Sequence, residues 1–134
     1  MPQVEGGCFC GAVRYRLSES PRVSVICHCQ SCRRAAGSPS VAWITLPATA
    51  FAWLGAAPRS YESSSGVLRT FCERCGTPLT YATQRRPAEI DVTTATLDDP
   101  NAYPPTREIW LEDRIEWESL DEERSAHQRS SASS

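Results

Sequence analysis

The sequence predicts an all-β domain with one or two short helices, of the sandwich or barrel-like kind, and three observations predict it. Apolar and polar residues alternate over short runs, the period of half-buried strands. The runs are bounded by Gly, Pro and Ser, which punctuate turns. The seven cysteines fall into three tight groups, Cys8/Cys10, Cys27/Cys29/Cys32 and Cys72/Cys75, a pattern that suits metal staples in a small β core. At 134 residues the chain has the length of one ordinary domain, and staples help a core of that size.

Taken in order, Gly6-Gly7-Cys8-Phe9-Cys10-Gly11 reads as a glycine-flanked metal knuckle. Ala12 to Leu17 alternates, with Val13, Tyr15 and Leu17 on one face, and is read as a strand. Arg22 to Cys27 is a second strand in which Val23, Val25 and Cys27 share a face. Gln30 to Ala36 is compatible with a short helix capped by Gly37, which would put the central thiols at a helix N-terminus, where amide hydrogens favour thiolates. Strands follow at Ser40 to Leu46 and Phe51 to Leu54, then a hairpin from Arg59 to Ser64 and Val67 to Cys72 around Ser65-Gly66. The knuckle Cys72-Glu73-Arg74-Cys75-Gly76 closes that hairpin, and Thr77 to Thr83 and Ile90 to Thr94 are further strands. Leu97 to Asn101 is a turn or one helical turn, Glu108 to Leu111 the last strand, and Asp113 to Trp117 is ambiguous between strand and short helix. The domain is expected over residues 1–120, with 121–134, a charged and serine-rich end that includes His127, as a frayed tail.

The formal net charge is −2, with arginines dispersed apart from Arg33-Arg34 and Arg85-Arg86. That balance argues against nucleic acid, which calls for a basic face. Neither a secretory signal nor a membrane-length apolar run is present in the sequence, so a soluble cytoplasmic protein is expected. In a reducing compartment, clustered thiols are metal ligands or catalysts before they are disulfides. A redox role for Cys72-x-x-Cys75 lacks the βαβ context such motifs belong to.

The cysteines divide as four plus three. Cys8, Cys10, Cys72 and Cys75 supply the four ligands of a closed structural zinc site, while Cys27, Cys29 and Cys32 supply three and leave a position open, as catalytic zinc sites do. A zinc held by three thiolates carries a net charge near −1 and is a weak Lewis acid, better matched to a thiol than to an acidic water. A thiol held there as thiolate can add to a carbonyl carbon. Arg33 and Arg34 could meet the carboxylates of an anionic thiol or form a solvated helix face. Trp43, Phe71 and Trp110 suit a core, with a pocket wall as the other reading. The competing possibilities are a second structural zinc, closed by His28 or a distant ligand, and a noncatalytic zinc module that binds a protein partner. Extended backbone points His28 away from its neighbours.

Gly6 to Tyr15, Cys27-His28-Cys29-Gln30-Ser31-Cys32-Arg33, Phe71 to Leu79, and Ile109-Trp110 with Trp117 together resemble the family of glutathione-dependent formaldehyde-activating enzymes, which also contains centromere protein V. The likeness runs from about Val4 to Leu120. It implies a two-sheet β fold with two zinc ions per chain, structural on Cys8, Cys10, Cys72 and Cys75 and catalytic on Cys27, Cys29 and Cys32. It also implies carbon-sulfur lyase chemistry on a small thiol and an aldehyde, glutathione and formaldehyde in the family's name. Two positions depart from the family pattern: Phe9, where many members have histidine, and Glu108, where some do.

Overall fold

The computed structural model describes residues 4–120 and 124–126. In chain order the elements are β1 (Val4–Gly7), β2 (Val13–Leu17), β3 (Val23–Cys27), α1 (Gln30–Ala36), β4 (Val41–Pro47), β5 (Phe51–Gly55), β6 (Arg59–Ser64), β7 (Val67–Phe71), β8 (Pro78–Thr83), β9 (Glu89–Thr93), β10 (Arg107–Ile109) and β11 (Ser125–Ala126). They form two sheets, a small one ordered β1-β2-β5 and a large one ordered β11-β10-β3-β4-β9-β8-β7-β6. Pairing is antiparallel except where β10 lies parallel to both β3 and β11. The two-sheet, mostly β architecture expected from the sequence is therefore the one observed.

The main core lies between the sheets. Val13, Tyr15 and Leu17 of β2 alternate inward and pack with Ile44, Leu46, Leu79 and Val92 of the large sheet. At ~25 cal/mol per Å² of apolar area removed from water, this layer supplies the main drive for folding. The Tyr15 hydroxyl, carried into that layer, bonds Thr96 Oγ1 at 2.7 Å, as a buried polar atom must. Gly6 lies against the same hydroxyl; a Cβ there would run into Tyr15 and the Thr96 carbonyl oxygen, so only glycine lets β1 approach Leu97 as closely as its bridge requires.

β4 is buried on both faces, because a second apolar cluster covers the far side of the large sheet: Val25, Cys27, Cys32, Val41, Trp43 and Ile109. Trp43 faces this cluster while its neighbour Ile44 faces the inter-sheet core, as alternation in a strand requires.

Three expectations shift at element edges. Gly6-Gly7, expected in a knuckle, belongs to β1, and the knuckle proper begins at Cys8. The last main strand ends at Ile109 rather than Leu111, because Trp110 adopts φ 60°, ψ 41° and turns the chain out of the ladder. A 3-10 turn at Leu111–Asp113 follows, and the ambiguous stretch Asp113 to Trp117 is neither strand nor helix beyond the end of that turn. Of the tail expected from residue 121, residues 121–123 and 127–134, with His127, lie outside the described residues, while Ser125–Ala126 pairs beside Arg107 and Glu108.

Candidate metal centres and substrate cavity

The four-thiol centre is assembled from both sheets. Cys8 and Cys10 follow β1, and Cys72 and Cys75 follow β7. Each knuckle closes on a glycine in the left-handed region, Gly11 at φ 82° and Gly76 at φ 83°, a conformation that costs glycine little. Backbone bonds fix the loops: Cys8 N–H to Val13 O at 3.0 Å, Cys72 N–H to Thr77 O at 3.0 Å and Gly76 N–H to Cys72 O at 2.7 Å. The Val13 N–H points at Cys8 Sγ, 3.3 Å away. Sulfur separations are 3.6 Å for Cys8–Cys10 and 3.8 Å for Cys10–Cys72. A tetrahedral zinc with Zn–S near 2.3 Å sets its sulfurs about 3.8 Å apart, close to these two separations, and all four sulfurs lie within 4.8 Å of one another, so the donor set fits that ion. The Cys75 thiol is held at about 5, chiefly by the Thr77 hydroxyl 3.2 Å away and the Thr77 backbone N–H. Phe9, at the knuckle tip, is 93% exposed; its departure from histidine touches nothing in the cluster.

Cys27, Cys29 and Cys32 form the second centre, their sulfurs mutually within 4.8 Å. β3 delivers Cys27 at its last residue, and Cys29 is the N-cap of α1, its sulfur accepting the Cys32 N–H at 3.3 Å. One helical turn then brings Cys32 onto the same side. Gly37, at φ 64°, donates to Arg33 O at 2.7 Å and stops the helix where the sequence predicts. Hydrogen bonds from the Cys27 and Cys32 thiols push Cys29 well down, aided by the Cys32 N–H and the charge of Arg69. Hydrogen bonds with Cys29 and Cys32, and then burial, push Cys27 up. Three thiols so placed share protons; only a bound cation would let all three ionise together. Among the described residues no fourth His, Cys, Asp or Glu joins them.

His28 points away from the sulfurs, as the extended backbone requires. It is 1% exposed, and its Nε2–H donates to Glu108 Oε1 at 2.6 Å; Arg124 Nη1 donates to Glu108 Oε2 at 3.2 Å. Glu108 sits opposite Ile26 in the β10–β3 ladder and so faces away from Cys27, which pairs with Ile109. It is 2% exposed and not among the residues lining the cavity, so its departure from histidine changes the sheet's reverse side and not a pocket. Removing one partner of a buried ionic hydrogen bond leaves the other unsatisfied. Glu108→Ala is therefore expected to lower unfolding free energy by about 3–5 kcal/mol, read from urea denaturation at fixed zinc.

The three-thiol centre opens on a cavity of about 890 Å³, large enough for a small-molecule ligand by the ~300–1,000 Å³ typical of such sites. Its floor is one cross-strand row of the large sheet, Val23↔Thr45↔Asp91↔Tyr81↔Arg69↔Tyr61. Every member of that row lines the cavity, with Trp43 beside it and α1 and Trp110 as walls. Of the pair expected to meet an anionic thiol, Arg34 lines the cavity and Arg33 does not; Arg33 Nε is buried with no partner among the described residues. Trp43 and Trp110 are cavity walls as well as core, and Phe71 borders a smaller adjoining recess. Sequence reasoning missed Arg69, Tyr81, Arg86 and Arg107. A signal existed for Arg69: it shares parity with inward-facing Val67 in a strand whose other face is exposed at Leu68. Arg86 is held by Glu89 at 3.0 Å and by Asp91 at 2.7 Å, and Asp91 also accepts the Thr45 hydroxyl at 2.6 Å.

Known proteins resemble this chain in sequence and in fold. A Schizosaccharomyces pombe protein named "uncharacterized lyase" is 36% identical over 83 residues, which make up 61% of this chain and 59% of that one, so the chain spans less than two thirds of that relative. A Halomonas elongata protein named "putative glutathione-dependent formaldehyde-activating enzyme" is 33% identical over 128 residues, covering 88% of this chain and 81% of that protein. In fold, the chain resembles the crystal structure of a Rhodobacter sphaeroides protein with a TM-score of 0.59 at 24% identity, over 70% of this chain and 87% of the other. The model of the glutathione-dependent formaldehyde-activating enzyme family matches residues 3–113, and the chain belongs to that family.

Proposed function

We propose that the protein is a zinc-dependent carbon-sulfur lyase that makes or breaks the bond between a small anionic thiol, glutathione or a relative, and an aldehyde such as formaldehyde. Cys27, Cys29 and Cys32 hold the catalytic zinc, and Cys8, Cys10, Cys72 and Cys75 hold a structural one. One observation carries the reading: three sulfurs with no fourth protein donor among the described residues lie in the wall of a roomy cavity rimmed by arginines. Bound at that centre, zinc supplies a position that keeps a substrate thiol ionised or stabilises a departing thiolate.

The chain's own groups do the rest. Exposed Arg34 and Arg85 and half-buried Arg107 ring the cavity and offer planar forks to the carboxylates of a peptide-like thiol. Trp43, Val25 and Ile109 give it a dry apolar wall, which strengthens each charge interaction inside. Asp91 is saturated by Arg86 and Thr45, so it rigidifies the floor instead of competing for the substrate's positive groups. Incubating the zinc-loaded protein with glutathione and ¹³C-formaldehyde, and following exchange with S-hydroxymethylglutathione by NMR, is expected to show acceleration over buffer. Exchange no faster than buffer removes that substrate pair. A cobalt-substituted sample whose spectrum ignores added thiols would favour a noncatalytic zinc module instead.

A further inference from the structure

Arg69 is a buried cation of the cavity that no carboxylate holds among the described residues. It lies on β7 in the floor row, opposite Tyr61 on one side and Tyr81 on the other, and is only 7% exposed. Its Nε–H donates to Ser63 Oγ at 3.2 Å, and its guanidinium stands 4.9 Å over the Tyr81 ring. No carboxylate pairs with it among the described residues, in contrast to Arg86 on the same floor, which two carboxylates hold. A guanidinium has five N–H donors, so four remain without an acceptor among the described residues. Its terminal nitrogens are not sealed in, since none is among the fully buried unpartnered atoms; the residue lines the main cavity and the recess behind it. A permanently charged fork buried without an acid partner is an unfavourable arrangement unless something in the cavity accepts its hydrogen bonds. Arg69 and Cys32 together line both the cavity and that recess, which puts Arg69 on the thiol side of the cavity.

We propose, building on the thiol-aldehyde reading above, that Arg69 is the oxyanion-binding residue of the site, donating to the aldehyde oxygen as it becomes an alkoxide. The rim arginines are the wrong choice for this task, because Arg34 and Arg85 are exposed and Arg107 is only half-buried, so water screens their charge. Arg69 is desolvated and pre-positioned by Ser63 and Tyr81, the condition under which a donor favours developing charge over the neutral carbonyl. In the forward direction the thiolate sulfur forms the C–S bond, the C=O π pair moves onto oxygen, and Arg69 holds that oxygen. The alkoxide then takes up a proton from solvent, balancing the one the thiol released. In reverse the hydroxyl loses that proton, the C–S bond breaks to the sulfur, and the carbonyl re-forms. The substrate class this selects is a small aldehyde with little behind its carbonyl carbon, since Tyr81 and Tyr61 flank the fork in the floor row.

The test uses binding as well as rate. Two thioether probes, S-methylglutathione and S-(carboxymethyl)glutathione, compete against glutathione for the zinc-loaded full chain; only the second carries anionic oxygen next to the sulfur-bound carbon. The wild type is expected to prefer the carboxymethyl probe by about tenfold or more, the worth of charge-assisted hydrogen bonds. Arg69→Gln should bring the preference to within about twofold and lower the aldehyde-addition rate about 100-fold, with glutathione affinity little changed. Arg69→Lys should restore part of the preference, and Arg34→Gln should weaken both probes while keeping it. A wild type that treats the probes alike overturns the assignment and leaves Arg69 as counter-charge to the thiolates, whether or not the Gln variant folds. Failure of glutathione itself to bind overturns the thiol-aldehyde reading instead.

Discussion

Cys75→Ser is expected to leave no cooperative unfolding transition. The four-thiol centre joins the end of β1 in the small sheet to the end of β7 in the large one, so it clips the two layers around the main core. Structural zinc in small domains contributes on the order of 10–16 kcal/mol, comparable to or larger than the ~5–15 kcal/mol by which a whole domain is stable. Serine cannot replace the thiolate, and the remaining thiols would lose their shared cation. The measurement is circular dichroism through a thermal ramp, with size-exclusion chromatography to register aggregation, and a strong chelator acting on wild-type protein should reproduce the result. A Cys75→Ser protein that melts at the wild-type temperature would deny the clip its role. A weaker version of the same outcome is not expected, because the remaining three ligands, Cys8 and Cys10 on one loop and Cys72 on the other, do not hold the geometry that Val13, Thr77 and Gly76 have built around four.

Much of this architecture is readable from residue order, and the limits of that reading have physical causes. Local alternation is enough for β2 and β3, an apolar run between Pro39 and Pro47 for β4 and the Ser65-Gly66 hairpin turn for β7, and the helix around Cys32 follows from its glycine stop. The partition into two sheets depends on contacts far apart in sequence: β2 pairs with β5, and Val13 faces Gly55. Alternation records which face of a strand is apolar and says nothing about which strand lies beside it. Trp110 shows a second limit, since a bulky residue at positive φ runs against its own preference and is tolerated only because the surrounding chain imposes it. Thiols announce themselves by spacing, whereas an arginine in a strand reads as surface until its parity is compared with its neighbours. For Arg69 the neighbour to compare is Val67, two residues away; for Arg107 it is Val25, on a parallel strand far along the chain.

Cys29→Ser separates ligation from folding more cleanly than any other substitution in the central trio. Cys29 is also the N-cap of α1, its sulfur accepting the Cys32 N–H, and serine is among the best N-cap residues, worth about 1 kcal/mol over alanine. The variant therefore keeps or improves the local bond that starts the helix while losing the thiolate that the metal requires. Cys32 offers no such separation, because it is buried among Val41, Trp43 and Ile109 and its exchange for serine would place a hydroxyl in an apolar cluster. For Cys29→Ser the expected result is about one zinc per chain by elemental analysis in place of two, since two thiolates and a neutral hydroxyl bind zinc far more weakly than three thiolates. Thiol-aldehyde exchange should fall to the buffer rate, while the melting temperature stays within about 4 °C of wild type, the shift that ~1 kcal/mol produces in a domain of this size. If the variant instead unfolds as completely as Cys75→Ser, the three-thiol centre is a second staple and the open position has no catalytic meaning. Retention of both zinc ions would point to a further ligand closing the site, and a closed site has no position left for a substrate thiol.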